Sequence, residues 1–202
     1  VFSKYGKTLF AFHDFILSIF DISDPQKEQK KGEFDTFEHL KTTVYLFEAS
    51  LLLSSDEQTL FLLSCSSILF LDISNHTAPS LLYMERFTPN TPDGCASSLT
   101  SSSDGKILYA VTEQNMTIID VSSPQAPIYL STKASNFTGT IDLSQDGQRI
   151  LLGSPNKFEI YNVSDPANPL SISSVDLNGR PISIAFSHDE SQIMLGILKP
   201  GP

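Results

Sequence analysis

Residues 118 to 127 read Ile118-Ile119-Asp120-Val121-Ser122-Ser123-Pro124-Gln125-Ala126-Pro127, and residues 160 to 169 read Ile160-Tyr161-Asn162-Val163-Ser164-Asp165-Pro166-Ala167-Asn168-Pro169. Each is an apolar run stopped by Asp or Asn, then a hydroxyl residue and a proline-bounded turn. The same order returns upstream in Leu71-Asp72-Ile73-Ser74-Asn75 and in Phe20-Asp21-Ile22-Ser23-Asp24-Pro25. The central Asp21, Asp72, Asp120 and Asn162 are separated by 51, 48 and 42 residues. A second ladder runs through Gly6-Lys7-Thr8-Leu9, Ser55-Asp56-Glu57-Gln58, Ser103-Asp104-Gly105-Lys106, Gln145-Asp146-Gly147-Gln148 and His188-Asp189-Glu190-Ser191. Its Asp56, Asp104, Asp146 and Asp189 are separated by 48, 42 and 43 residues. Two independent markers with one period in the forties point to a propeller or solenoid array.

Within one period the apolar runs are short and the breaks between them polar. The third unit predicts strands over 106–112, 116–121, 127–132 and 139–143, and the fourth over 150–153, 158–163, 170–175 and 181–186. Intervals this short suit antiparallel neighbours. The expected fold class is therefore all-β, a β-propeller of four-stranded antiparallel blades. The repeat positions Asp21, Asp72, Asp120, Asn162, Asp56, Asp104, Asp146 and Asp189 read as turn residues, because a short carboxylate or amide satisfies the amides of its own turn and Asp-Gly supplies a left-handed position at low steric cost. Pro25, Pro124, Pro127, Pro166 and Pro169 lack a ladder donor and belong between strands.

The two stretches quoted at the outset closely resemble the repeat called LVIVD, found in β-propeller proteins that are often secreted or cell-surface. The resemblance is strong in the third and fourth units and fair in the second, through Leu71 to Pro79. It is weakest in the first, where a charged run from Gln26 to Lys31 replaces the Pro ending. It implies a propeller scaffold and brings no common activity with it.

The chain has 202 residues. At about 45 residues per unit this gives one propeller domain over 1–202, with blade-like units at 1–50, 51–98, 99–140 and 141–184 and the start of another at 185–202. The expectation is a partial propeller, and the Val1 start suggests a processed or partial chain. Two stretches depart from the compact units: the mixed-charge segment from Lys27 to Ser50, and the loop from Glu85 to Ser98 with Pro89, Pro92 and Gly94. Both are the expected places for contacts if the protein has a specific partner, with neutral loop growth as the alternative.

Thirteen Lys and Arg against 23 Asp and Glu give a formal charge of -10, which argues against gripping a nucleic-acid backbone. No window holds the ~18 apolar residues of a membrane span. Sequons at Asn75, Asn115, Asn136 and Asn162 are candidate N-glycan acceptors and point to a secreted or extracellular-surface protein, with a cytoplasmic one as the alternative. Cys65 and Cys95 read either as a disulfide or as two buried thiols. With only His13, His39, His76 and His188 scattered through different repeat positions, they make no metal spacing.

No nucleophile elbow, phosphate loop or calcium loop is present. Glu48, Glu113 and Glu159 lie near predicted strands but at different phases of the repeat. The sequence thus predicts no cofactor, no metal, no catalytic residue and no enzyme. It predicts a noncatalytic structural or protein-interaction module that binds a protein partner or itself. The alternative is a propeller hydrolase or lyase acting on carbohydrate or a small ester, with its site residues expected on blades missing from this chain.

Overall fold

The computed structural model describes residues 1–24, 26–40, 49–64, 67–86, 97–134 and 136–199. Two compact units, Val1–Gly94 and Cys95–Pro202, are described in turn.

The first unit holds two antiparallel sheets. One orders β1 (Thr8–His13), β2 (Ile16–Asp21) and β3 (Gln29–Asp35), and is followed by a short helix, α1 (Phe37–Leu40). Residues 1–3 run beside β1, with an isolated bridge from Phe2 to Leu9 and Val1 exchanging hydrogen bonds with Phe10. The mixed-charge segment that opens at Lys27 thus begins as the outer strand β3. The other sheet orders β4 (Ser50–Leu53), β5 (Thr59–Leu63), β6 (Ser67–Asp72) and β7 (Ser80–Arg86). Every residue of β5, and all of β6 except Asp72, is buried. A strand covered on both faces reads as a continuous apolar run rather than an alternating one, which is what Leu60-Phe61-Leu62-Leu63 and Ile68-Leu69-Phe70-Leu71 are. Phe10, Leu17, Ile19 and Phe34 of the first sheet share a core with Leu60, Leu62, Leu69, Leu71 and Ile73.

The second unit repeats the plan. One sheet orders β8 (Ser97–Ser101), β9 (Ile107–Thr112), β10 (Asn115–Asp120) and β11 (Ile128–Ala134). The next orders β12 (Ile141–Leu143), β13 (Arg149–Ser154), β14 (Lys157–Asn162) and β15 (Leu170–Asp176). A two-stranded ribbon of β16 (Arg180–Phe186) and β17 (Ile193–Leu198) completes it. All pairs are antiparallel. Tyr109, Val111, Met116 and Ile118 pack with Ile150, Leu152, Tyr161 and Val163, and Leu151, Phe158 and Ile184 form a further cluster. The loop after Glu85 and the loop before Ser98 fall largely outside the described residues, as do Pro25, Lys41, Glu48, Cys65 and Cys95.

One turn recurs five times. The hydroxyl of Ser3, Ser54, Ser102, Ser144 or Ser187 accepts the amide hydrogen of Thr8, Thr59, Ile107, Arg149 or Gln192, five residues on, at 2.9–3.0 Å. In the last four turns the same hydroxyl donates to Asp56, Asp104, Asp146 or Asp189. Gly6, Gly105 and Gly147 occupy the left-handed position, and Glu57 and Glu190 hold it in the other two turns. Those two glutamates reach across to the preceding turn in their own unit: Glu57 accepts the Lys4 amide, and Glu190 accepts the Gln145 amide and pairs with Arg149.

Hydrogen bonds from Ser23, Ser54, Ser74, Ser102, Ser122, Ser144 and Ser187 hold Asp21, Asp56, Asp72, Asp104, Asp120, Asp146 and Asp189 below the ordinary carboxylate range, Asp21 and Asp189 to about 2. A pKa depressed on folding contributes stability above the unfolded value of about 3.9, and that contribution is lost as pH falls through the folded value. The expected result is a thermal midpoint that declines as pH falls from about 4 to about 2. Scanning calorimetry across that window checks it, and a midpoint that holds or rises there would refute the assignment.

Candidate functional site

In an antiparallel blade the turn between the second and third strands lies at the same end as the crossover into the next blade. In the second unit this end is defined by the turns at 112–115 and 154–157 and by the crossovers at 136–140 and 177–180. Each crossover rests on the turn before it: the Phe137 amide donates to the Glu113 carbonyl at 3.0 Å, and the Leu177 amide to the Asn156 carbonyl at 2.6 Å. Thr36 makes the equivalent bond to Phe15 in the first unit.

Across these crossovers runs one long-range ion pair. Arg180, first residue of β16, donates through Nη2 to Glu113 Oε1 at 2.9 Å, and the two are 67 positions apart in sequence. Glu113 belongs to the β9–β10 turn, so the pair joins the first sheet of this unit to its last ribbon. The side chains are 28% exposed for Glu113 and 48% for Arg180, so both are within reach of a solute while their charges are partly answered by each other. The Thr138 and Thr140 hydroxyls stand 3.2 Å apart. Both lie within 2.3 Å of where a Cβ on Gly153 would be, so only glycine fits beneath them.

Glu159 is buried on β14. It accepts from the Ser154 hydroxyl at 3.0 Å and from Lys157 Nζ at 2.9 Å, which holds Lys157 above its usual pKa. Glu113 and Glu159 are therefore both engaged, with different partners.

The repeat positions lie at the opposite end. Asp21, Asp72, Asp120 and Asn162 each accept the amide of the serine two residues on. Asn75 Oδ1 accepts from the Thr77 amide at 3.1 Å and from its hydroxyl at 2.8 Å in an exposed turn, Asn136 is exposed, and Asn115 and Asn162 are half-buried. Among the described residues each histidine side chain has its own neighbour: His13 sits beside Asp14, His76 meets the Phe10 ring edge-on, and His188 contacts Gln145. Among the described residues no three His, Cys, Asp or Glu side chains converge as metal ligands, and no helix is long and apolar enough to cross a membrane.

The LVIVD repeat family matches residues 103–132, from the Asp104-Gly105 turn through β9 and β10 into β11. The chain carries an LVIVD repeat. No curated protein matches the chain significantly. Among solved structures, a protein of unknown function from Desulfotomaculum acetoxidans DSM 771 superposes with a TM-score of 0.74 at 11% identity, over 98% of this chain and 61% of its own. The periplasmic gluconolactonase PpgL of Pseudomonas aeruginosa gives 0.69 at 13% identity, over 99% of this chain and 56% of its own. A candidate 6-phosphogluconolactonase from Bacteroides uniformis ATCC 8492 gives 0.71 at 15% identity, over 96% and 61%. The chain thus spans about six-tenths of the length of these structures. At such identities the likeness shows the fold, and the LVIVD-bearing chain is an all-β protein of four-stranded propeller blades, in part.

The comparisons overturn the expectation that the protein is not an enzyme. Two of the scaffolds matched over nearly the whole chain are named for lactone hydrolysis. A propeller also brings together polar groups that no contiguous motif announces, as it does Glu113 and Arg180, 67 positions apart in sequence.

Proposed function

We propose that the chain is the larger part of a propeller hydrolase that opens a small carbohydrate ester, a lactone being the first candidate. The reading rests on Glu113 and Arg180, brought from different sheets to one blade end, on a scaffold shared with proteins named as lactonases. Ester hydrolysis needs a base for water and a donor for the carbonyl oxygen. Glu113 takes one proton from a water whose oxygen attacks the ester carbon. Arg180 donates to the carbonyl oxygen as negative charge grows there. The ring C–O bond then breaks, the proton held by Glu113 passes to the departing oxygen, and the product is an open-chain hydroxy acid. The test is proton release from D-glucono-1,5-lactone with the purified chain, corrected for spontaneous ring opening. Turnover above the buffer rate is expected, and a rate equal to buffer removes the reading.

A secretory route is a separate proposal, supported by the sequon at Asn75, whose Oδ1 is tied to Thr77 in an exposed turn. Expression through a eukaryotic secretory pathway is expected to give a glycan at Asn75 that N-glycanase removes. An unmodified Asn75 peptide in the mass spectrum counts against it.

A further inference from the structure

The two ends of the second unit differ in chemistry. One carries carboxylates already satisfied within their own turns, Asp104, Asp146 and Asp189 by serine hydroxyls and Asp120 by the Ser122 amide. The end that carries Glu113 and Arg180 has five amides beside the carboxylates Glu113 and Asp176: Gln114 and Asn115 in the β9–β10 turn, Asn136 before β12, Asn156 in the β13–β14 turn and Asn178 before β16. Asn136, Asn156 and Asn178 are exposed and the other two half-exposed. Among the described residues, none of these five side-chain amides is engaged in a hydrogen bond. A carboxamide offers two donors and an acceptor without charge, which is the complement of a vicinal diol. The cations at this end are mostly occupied: Arg180 pairs with Glu113, Lys157 pairs with Glu159, and Lys133 lies 4.7 Å over the Tyr161 ring. Lys199, after β17, is neither paired nor stacked among the described residues. A phosphate dianion placed here would meet the Glu113 carboxylate with little free positive charge to answer it, in a chain whose formal charge is -10.

We infer that this amide-lined end takes an uncharged polyhydroxylated ligand, and, resting on the hydrolase reading above, that the lactone opened is that of an unphosphorylated sugar acid. Asn156 and Asn178 reach the ligand hydroxyls, and Glu113 and Arg180 face the ester. N-glycans at Asn115 or Asn136 would crowd the same end, so the inference also requires those two sequons to be unoccupied in active protein.

The experiment compares kcat/KM of the full chain for D-glucono-1,5-lactone and for its 6-phosphate, and measures binding of the non-reacting polyol D-glucitol by calorimetry to wild type and to the N156A/N178A double variant. The uncharged lactone is expected to be preferred by about tenfold or more. The double variant is expected to raise KM and the glucitol Kd by about threefold to tenfold, as loss of one or two neutral hydrogen bonds does, with kcat little changed. Preference for the phosphate, or a double variant with unchanged KM and Kd, overturns the inference. If neither lactone is turned over but glucitol binds and the double variant weakens it, the hydrolase reading falls and the ligand class stands. If glucitol does not bind, the ligand class falls whatever the turnover.

Discussion

Glu113→Gln is expected to lower turnover of the uncharged lactone by about 10²- to 10³-fold in kcat, with KM changed by less than about threefold. The substitution keeps the shape of the side chain and the hydrogen bond its carbonyl oxygen can accept from Arg180, but removes the charge that takes a proton from water in the proposed mechanism. Arg180→Met removes the donor that the proposed mechanism assigns to the carbonyl oxygen, and a loss of similar size is expected for it. If base and donor act on one transition state, the E113Q/R180M protein loses little more than either single variant, because groups that act as a unit are strongly non-additive. A merely structural pair would behave otherwise. A 2.9 Å ion pair with a side chain 48% exposed contributes no more than about 1 kcal/mol, so both variants should unfold within a few degrees of wild type. A Glu113→Gln protein that retains the wild-type kcat, with its thermal midpoint unchanged, would remove Glu113 from the chemistry.

How that pair escapes the sequence, while the fold does not, follows from where each kind of information is stored. Strand positions are written locally: Ile150 to Gly153 is apolar and Phe158 to Val163 mostly so because β13 and β14 are largely covered, and the polar breaks between them are the turns. The expected strand over 170–175 is β15, Leu170–Asp176, and that over 181–186 is β16, Arg180–Phe186. The serine that closes each Asp turn was equally legible, since Ser54, Ser102, Ser144 and Ser187 stand two residues before Asp56, Asp104, Asp146 and Asp189 in every case. It is easily passed over in a serine-rich chain. Glu57 and Glu190 hold a left-handed position where the sister turns have glycine, and that conflict with local preference was a signal that the side chain has another duty. Glu113 and Arg180 have no such marker. They occupy different phases of the repeat, 67 positions apart, and only the packing of successive blades makes them neighbours.

Gly32→Ala is expected to cost about 2–4 kcal/mol. On propensity alone the exchange would help, since glycine in a strand interior is disfavoured relative to alanine by roughly 0.5–1 kcal/mol. Packing reverses the sign. A Cβ on Gly32 would stand 2.0 Å from the His76 carbonyl oxygen and 3.1 Å from the His76 carbonyl carbon and Thr77 Cα. Every one of these atoms is backbone, so no rotamer change relieves the contact. The turn that carries them is also held in place. The Thr77 amide and hydroxyl donate to Asn75 Oδ1, the Ala78 amide donates to the Asn75 carbonyl, and the His76 ring packs edge-on against Phe10 at 5.6 Å. Relief therefore requires β3 to move away from the second sheet. Gly32 is paired with Ile19 across β2, so that movement loosens the core that Phe10, Leu17 and Ile19 share with Leu60, Leu62 and Leu71. For a chain of this size the thermal midpoint should fall by about 5–12 °C. Gly147→Ala is the contrasting variant: its φ is +69° and nothing lies within 4 Å of the new methyl, so it carries only the left-handed strain of about 1–2 kcal/mol. A calorimetric midpoint for Gly32→Ala at or above that of Gly147→Ala would mean that the two sheets are not packed as closely as Gly32 and His76 require.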